Sequence, residues 1–99
     1  MHNTYLEILA EDRRLVILRF LAEDADYSLN TSILRDALDS VGHRESRQVV
    51  EQDAAWLETA GLVTRESIGP VTIVKLTPDG LDVAQGRTIV PGVKRPGPR

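Results

Sequence analysis

The sequence predicts a small α+β protein that is mainly helical and carries one β-hairpin. Apolar residues recur at helical spacing through residues 4–60, and two β-prone runs follow at 62–67 and 71–77. Glycines stand where the helical patterns stop. The chain has 99 residues, of which 41% are hydrophobic and 27% charged, which is typical of one globular domain.

The first predicted helix begins near Asn3 or Thr4, either of which can cap it, and ends near Glu23. Its apolar residues form one stripe along the helix and a second stripe that broadens the first. The first stripe consists of Leu6, Leu9, Leu15, Leu18 and Leu21 or Ala22, and the second of Tyr5, Ile8, Val16, Ile17 and Phe20. This breadth predicts burial on more than one side, within the domain or against a second copy. The polar step at residues 11–14 is a candidate break into two helices.

Two shorter helices joined by a tight turn come next. We expect residues 27–29 to form a short extended link, after which Asn30 or Thr31 opens the second helix. Its inward side is predicted to hold Ile33, Leu34, Ala37, Leu38 and Val41. Gly42 ends this helix, and a third helix is predicted over residues 44–60, where Gly61 stops it. Two helices joined in this way form a helix-turn-helix unit.

A β-hairpin and a fourth helix complete the predicted fold. The runs at 62–67 and 71–77 flank Ile68-Gly69-Pro70, which predicts a turn centred on Gly69. The expected register pairs Leu62 with Leu76, Thr64 with Val74 and Glu66 with Thr72. Thr77 can cap a short helix with Pro78 in its first turn, and Gly86 ends it.

Charge divides the chain into two parts. The net charge is −3, yet residues 87–99 carry four basic and no acidic side chains, which leaves 8 basic and 15 acidic side chains, or −7, in residues 1–86. The last thirteen residues also contain three prolines and two glycines. We therefore expect one folded domain over residues 1–86 and a disordered basic tail over residues 87–99.

Several classes of function have no support in the sequence. The chain has no cysteine and only two histidines, His2 and His43, so thiolate metal sites and disulfides are excluded. We find neither a nucleophile elbow nor a glycine-rich phosphate loop, and the acidic pairs lie at helix ends. No signal peptide and no apolar stretch long enough for a membrane span is visible. We therefore predict a cytoplasmic protein that is not an enzyme and needs no metal or cofactor.

Three segments resemble winged helix-turn-helix regulators of the ArsR-like and MarR-like type. Residues 9–23 (LAEDRRLVILRFLAE) are similar to the first core helix of ArsR-like repressors. Residues 56–65 (WLETAGLVTR) resemble the end of a recognition helix turning into the wing, and residues 75–80 (KLTPDG) the segment that closes the wing. The small size and basic tail also resemble the winged-helix proteins of Mu-like transposable phages. The resemblance implies a winged-helix fold and, as its commonest activity, DNA binding and transcription regulation by a homodimer.

The resemblance implies that the first turns of the third helix read double-stranded DNA. The residues there are Arg44, Ser46, Arg47, Gln48 and Gln52. Arginine pairs with guanine and glutamine with adenine in the major groove, although Glu51 on the same helix has the wrong sign for DNA. The candidates for backbone contacts are Arg65 and Lys75 in the hairpin and Lys94, Arg95 and Arg99 in the tail. For all of these residues, plain solvation of a polar surface is the competing interpretation.

A second interpretation is a protein-interaction module built on the same scaffold. The acidic body, the uncharged hairpin tip and Trp56 favour it. Candidate dimer contacts are Tyr5, Ile8 and Trp56, although Trp56 can also pack within its own domain. A third possibility is a nucleoprotein component that binds through the tail alone.

Overall fold

The computed structural model describes residues 4–97, which fold into helices around a three-stranded antiparallel sheet. Within this range the elements follow the order α1 (Thr4–Glu23), β1 (Ser28–Asn30), α2 (Thr31–Ser40), α3 (Arg47–Thr59), β2 (Val63–Ile68), β3 (Val71–Leu76) and α4 (Pro78–Ala84). The strand order is β1-β3-β2. This arrangement confirms the expected mainly helical α+β class and is winged-helix-like. Asn3 and Arg99 lie outside the described residues.

Side-chain caps fix where three of the helices begin. The side chains of Asn30, Ser46 and Thr77 accept hydrogen bonds from the backbone N–H groups of the residues three positions later. Asn30 and Thr77 were expected as caps and are confirmed. The third helix was predicted to begin at residue 44, but Ser46 has an extended backbone and caps a helix that begins at Arg47.

The helix α1 is continuous, contrary to the predicted break at residues 11–14. Its C-terminal half supplies Leu15, Ile17, Leu18 and Leu21 to the core, whereas residues 4–8 are exposed. The core also contains Leu34 and Leu38 from α2, Val50, Ala54 and Leu57 from α3, and apolar residues of the hairpin and α4. Of the α2 residues predicted to face inward, Ile33 and Val41 are exposed, because the helix buries only its Leu34 and Leu38 side.

The hairpin register differs by one residue from the prediction. Val63 pairs with Leu76, Arg65 with Val74, and Ile68 with Val71, which leaves Gly69 and Pro70 as a two-residue loop. Gly69 has a φ of +60°, which suits the first position of a type II′ hairpin turn. The tight loop sets the register, and it brings Val63 and Leu76 together on the buried side of the sheet.

The predicted extended link at residues 27–29 overlaps β1, a third strand that the sequence prediction missed. Ser28, Leu29 and Asn30 pair with Lys75, Val74 and Ile73 of β3. The backbone N–H of Leu76 also donates to the carbonyl of Tyr27 over 2.8 Å. This pairing fixes the start of α2 beside the hairpin.

The segment expected to be a disordered tail instead packs against the domain. Residues 87–97, the C-terminal loop, contain no helix or strand, yet Val93 is only 6% exposed and belongs to the core. The loop also returns towards its own start, since a Cβ on Gly86 would lie 3.6 Å from Pro96. The folded unit therefore extends well beyond residue 86.

A glycine-to-alanine exchange at Gly80 tests how tightly α4 closes on the hairpin. A Cβ at this buried position would collide with the backbone carbonyl of Leu62 and the side chain of Leu76. We expect Gly80→Ala to lower the free energy of unfolding by about 2 kcal/mol or more, because overpacking against backbone outweighs the gain in helix propensity. Urea denaturation measures the change. Gly97→Ala, whose Cβ meets open space, is the control, and equal stabilities of the two variants would contradict the packing described here.

Candidate nucleic-acid interface

The helix α3 presents a polar face to solvent. Gln48 and Gln52 are both exposed and lie one turn apart, opposite the buried Val50, Ala54 and Leu57. Further along the same face the side chains become small, with Ala55 and Thr59. Two amide side chains are thus displayed side by side on the second helix of the helix-turn-helix unit.

The turn before α3 carries an arginine whose side chain is almost fully exposed. Arg44 lies outside the helix, contrary to the prediction, and its side chain is 87% exposed, with Nε 3.6 Å from Asp39 Oδ1. An ion pair this exposed contributes little stability, so the guanidinium is accessible to an anion. Ser46 was predicted to read bases, but its hydroxyl caps α3 by accepting a hydrogen bond from Val49 N–H.

Arg47 connects α3 to the hairpin tip. Its Nη2 donates to the carbonyl of Pro70 over 2.8 Å, and its Nε lies 3.7 Å from Glu51 Oε2. Glu51 also accepts a hydrogen bond from the hydroxyl of Thr31 at the start of α2. Glu51 is therefore held by neighbouring groups, and Arg47 connects the hairpin to the polar face.

The hairpin side chains divide between the two sides of the sheet. Arg65 donates from Nη2 to Glu58 Oε1 over 3.0 Å, and its backbone N–H donates to Glu58 Oε2. These hydrogen bonds hold the pKa of Glu58 below its usual range. Lys75 is exposed on the opposite side of the sheet, paired with Thr64. Of the two hairpin residues predicted to contact the DNA backbone, Arg65 is hydrogen-bonded to Glu58 of α3 and Lys75 is accessible.

Lys94 of the C-terminal loop lies against α1. The backbone N–H of Lys94 donates to the carbonyl of Glu11, and its Nζ lies 3.4 Å from Asp12 Oδ1. Arg95 follows and is exposed. Lys94 is therefore part of the folded body and does not extend from it as an arm.

A buried ion pair between α1 and α3 was not foreseen from the sequence. Arg13 donates from Nε to Asp53 Oδ2 over 2.6 Å and from Nη2 to Oδ1 over 3.2 Å, and the two side chains are 12% and 5% exposed. The hydrogen bonds to Asp53 raise the pKa of Arg13. The polar step at residues 11–14 was the sequence signal for this contact, and it marks an interface between helices.

One side of the half-buried Trp56 is covered by α1 and the C-terminal loop. The guanidinium of Arg14 stacks 4.1 Å from the centre of the indole ring, and Arg14 Nη1 donates to the carbonyl of Gly92 over 2.8 Å. Gly92 has a φ of +96° and approaches the ring so closely that a Cβ would lie less than 3.0 Å from two ring atoms. Burial lowers the pKa of Arg14. The packing of Trp56 within the domain is thereby confirmed for the α1 side.

The candidate dimer contacts lie at the surface near the start of α1. Tyr5 and Ile8 are 69% and 57% exposed on the first turns of α1.

Within residues 4–97 no group of three or more histidine and acidic side chains is arranged to hold a metal ion. None of the described helices combines the length and the apolar character needed to cross a membrane.

The comparison with known proteins places the chain among phage proteins. It is 53% identical over 93 residues to the uncharacterised protein gp26 of Escherichia phage Mu, and the match covers 94% of this chain and 96% of gp26. The chain belongs to the family of phage Mu gp26. An uncharacterised protein of Haemophilus influenzae is 45% identical over 65 residues, which cover 66% of this chain and 63% of that protein. No family model matches the chain, and no solved structure matches it.

Removal of one partner of the Arg13–Asp53 pair tests its contribution to folding. We expect Asp53→Ala to lower the free energy of unfolding by about 3–5 kcal/mol, because it leaves a buried guanidinium without its acceptor. The double change Arg13→Met, Asp53→Leu should recover most of this loss, since two apolar side chains replace the pair. Urea denaturation of the parent, Asp53→Ala and the double variant measures the recovery, and the single variants Arg13→Met and Asp53→Leu complete the cycle that measures the coupling. Additive losses would show that the two side chains act independently.

The acid response of Asp12 gives a second test. Partial burial raises the pKa of Asp12, but hydrogen bonds from His43 and Lys94 outweigh this effect and the pKa lies below the ordinary value of 3.8. The ionised carboxylate therefore stabilises the fold above that value, and the contribution is lost as the pH falls through the lower folded pKa.

We expect Asp12→Asn to be less stable than the parent at pH of about 6 and to lose less further stability on acidification to about pH 3. Urea denaturation at both pH values measures the difference. Asp36→Asn, which changes an exposed carboxylate of α2, is the control. If Asp12→Asn and the parent lost the same free energy of unfolding between the two pH values, the proposed role of the ionised Asp12 would be contradicted.

Proposed function

We propose that this protein is a DNA-binding regulator or accessory protein of a phage, with α3 in the major groove. The observation that carries the proposal is the pair Gln48 and Gln52, exposed one turn apart on the second helix of a helix-turn-helix unit. A glutamine amide can bond to both N6 and N7 of adenine in the major groove. Arg44, at the entrance to the helix, is accessible to guanine or to phosphate.

The electrostatics favour a binder that depends on local contacts. The −7 charge of residues 1–86 repels DNA at long range, so non-specific affinity should be low. Arg44, Arg47 and Lys75 are exposed cations near the polar face or in the hairpin, whereas the exposed Arg65 is paired with Glu58. Three phosphate contacts correspond to a salt slope of about −3 in log K against log salt concentration, which is shallow for a DNA-binding protein.

The full chain should be titrated on duplex fragments of its source genome, with fluorescence anisotropy as readout and random duplex as competitor. The double variant Gln48→Ala, Gln52→Ala should lose about 10- to 100-fold in affinity for the preferred duplex and little for random duplex, because amide-to-base contacts carry sequence preference. Gln85→Ala removes an exposed amide at the end of α4 and serves as the control. Equal binding by the double variant and the parent would show that α3 does not read the sequence.

We also propose that the protein acts as a cytoplasmic homodimer, without enzymatic activity, metal or cofactor. Tyr5 and Ile8 are exposed apolar side chains at the free end of α1, where a second copy can pack. Two recognition helices related by a two-fold axis would fit half-sites about 34 Å apart, one helical turn of DNA.

A second candidate function is docking to another protein. The exposed first turns of α1 and the uncharged hairpin tip favour it, since apolar surface without cations suits a protein partner better than DNA. Absence of any duplex binding at low salt would exclude the DNA-binding proposal and favour this second function.

A further inference from the structure

Four consecutive residues of α1 lie between the C-terminal loop and the turn that leads into α3. The carbonyl of Glu11 accepts from Lys94 N–H, and the next three side chains all reach other parts of the chain. Their contacts fall on two groups of residues. One group is in the C-terminal loop, and the other consists of the turn at residues 41–46 and the α3 residues Asp53 and Trp56.

Asp12 contacts both groups through one carboxylate. Its Oδ1 lies 3.4 Å from Lys94 Nζ, and its Oδ2 lies 2.6 Å from His43 Nε2. The His43 side chain is largely buried. Since His43 immediately precedes Arg44 and Ser46 caps α3 three residues later, Asp12 fixes the turn that sets where α3 begins.

Arg13 and Arg14 also link α1 to these two groups, through contacts that do not involve Asp12. Arg13 bonds to Asp53 in α3 and lies 3.8 Å from Glu45 in the turn. Arg14 stacks on Trp56 of α3 and donates to the carbonyl of Gly92 in the loop. The loop therefore contacts α3 directly through Trp56 and contacts the turn through Asp12.

We propose that the docked C-terminal loop positions the turn before α3, with Asp12 as the positioning residue, and so regulates the face that carries Arg44 and Gln48. The proposal rests on the proposed function where it concerns DNA. Under it, residues 87–97 act on binding by fixing the start of α3, whereas the sequence suggested a basic arm that touches the DNA backbone. A partner that captures the loop would loosen the turn.

The geometry of the loop makes it a separable unit. Residues 85–89 are exposed, and the docked part depends on Val90 and Val93, on the close approach of Gly92 to Trp56 and on a few polar contacts. Contacts this few permit local opening without unfolding of the core. Gly92 is the point at which a small change displaces the loop, because any Cβ there meets the indole ring.

The test compares Gly92→Ala with Gly97→Ala in the full chain by amide hydrogen exchange. Gly97 lies in the same loop, has no left-handed φ, and a Cβ there meets nothing. The reporters are the N–H of His43, bonded to Leu38 carbonyl, and the N–H of Val49, bonded to the Ser46 cap. We expect Gly92→Ala to accelerate exchange at both reporters by about tenfold, with the hairpin amides at 63–76 unchanged and Gly97→Ala without effect.

A second pair of variants covers the case in which Gly92→Ala does not fold. Lys94→Met removes the ammonium that faces Asp12, and Arg95→Met removes the exposed charge beside it. Faster exchange at His43 in the first variant alone supports the route through Asp12. Unchanged exchange at the reporters while Trp56 fluorescence reports that the loop has left, or equal acceleration at every amide, would overturn the proposal.

Duplex binding separates this proposal from the proposed function. If the parent binds DNA, Gly92→Ala should weaken binding about tenfold and Arg95→Met should leave it nearly unchanged, whereas a basic arm would make Arg95→Met the weaker binder. Binding by Gly92→Ala equal to that of the parent, with the turn loosened, would overturn the regulatory role. If the parent binds no DNA, the proposed function fails, and the exchange experiment still decides whether the loop positions the turn.

Discussion

The ion pair between Arg13 and Asp53 is the constraint on which the rest of the arrangement depends. Two charges of this kind are costly to bury, and they are tolerated because both hydrogen bonds of the guanidinium fork reach the carboxylate. An apolar contact would allow α1 and α3 to slide or rotate against each other. The paired geometry fixes one rotation of α3, and that rotation points Val50 and Leu57 inward and leaves Gln48 and Gln52 in solvent.

Ion pairs and hydrogen bonds on α3 explain why an acidic protein can still present a neutral or cationic face. Glu51 is held by Thr31 and Arg47, and Glu58 is held by Arg65, so the two acids of α3 nearest the hairpin are engaged. Arg44 stands nearly free in the preceding turn. Net charge of the whole chain is therefore a poor guide to the local potential at this face, where the arrangement of pairs decides which charges an approaching ligand meets.

Features that depend on neighbours in the sequence were predictable, and features that depend on distant partners were not. The caps at Asn30 and Thr77 each bond to a residue three positions away, so they could be identified from the sequence. The hairpin register could not be predicted, because adjacent apolar residues such as Leu62 and Val63 allow either face to point inward.

Within the candidate site, the exposure of Gln48 and Gln52 was predictable from helical spacing. The roles of Arg47 and Arg65 were not, because their partners Pro70 and Glu58 are brought close only by the hairpin. The order of the C-terminal loop depends on Arg14 and Trp56, which are far away in the sequence.

The contact between Glu58 and the backbone of Arg65 has a consequence for solubility. The strand β2 lies at one border of the sheet, where unpaired N–H groups can recruit a strand from another molecule. The carboxylate of Glu58 occupies the N–H of Arg65 from that side, as an incoming strand's carbonyl would, and brings a negative charge with it. At the opposite border β1 is only three residues long. Addition of a strand from another molecule is therefore opposed by a negative charge at one border of the sheet and by the shortness of β1 at the other.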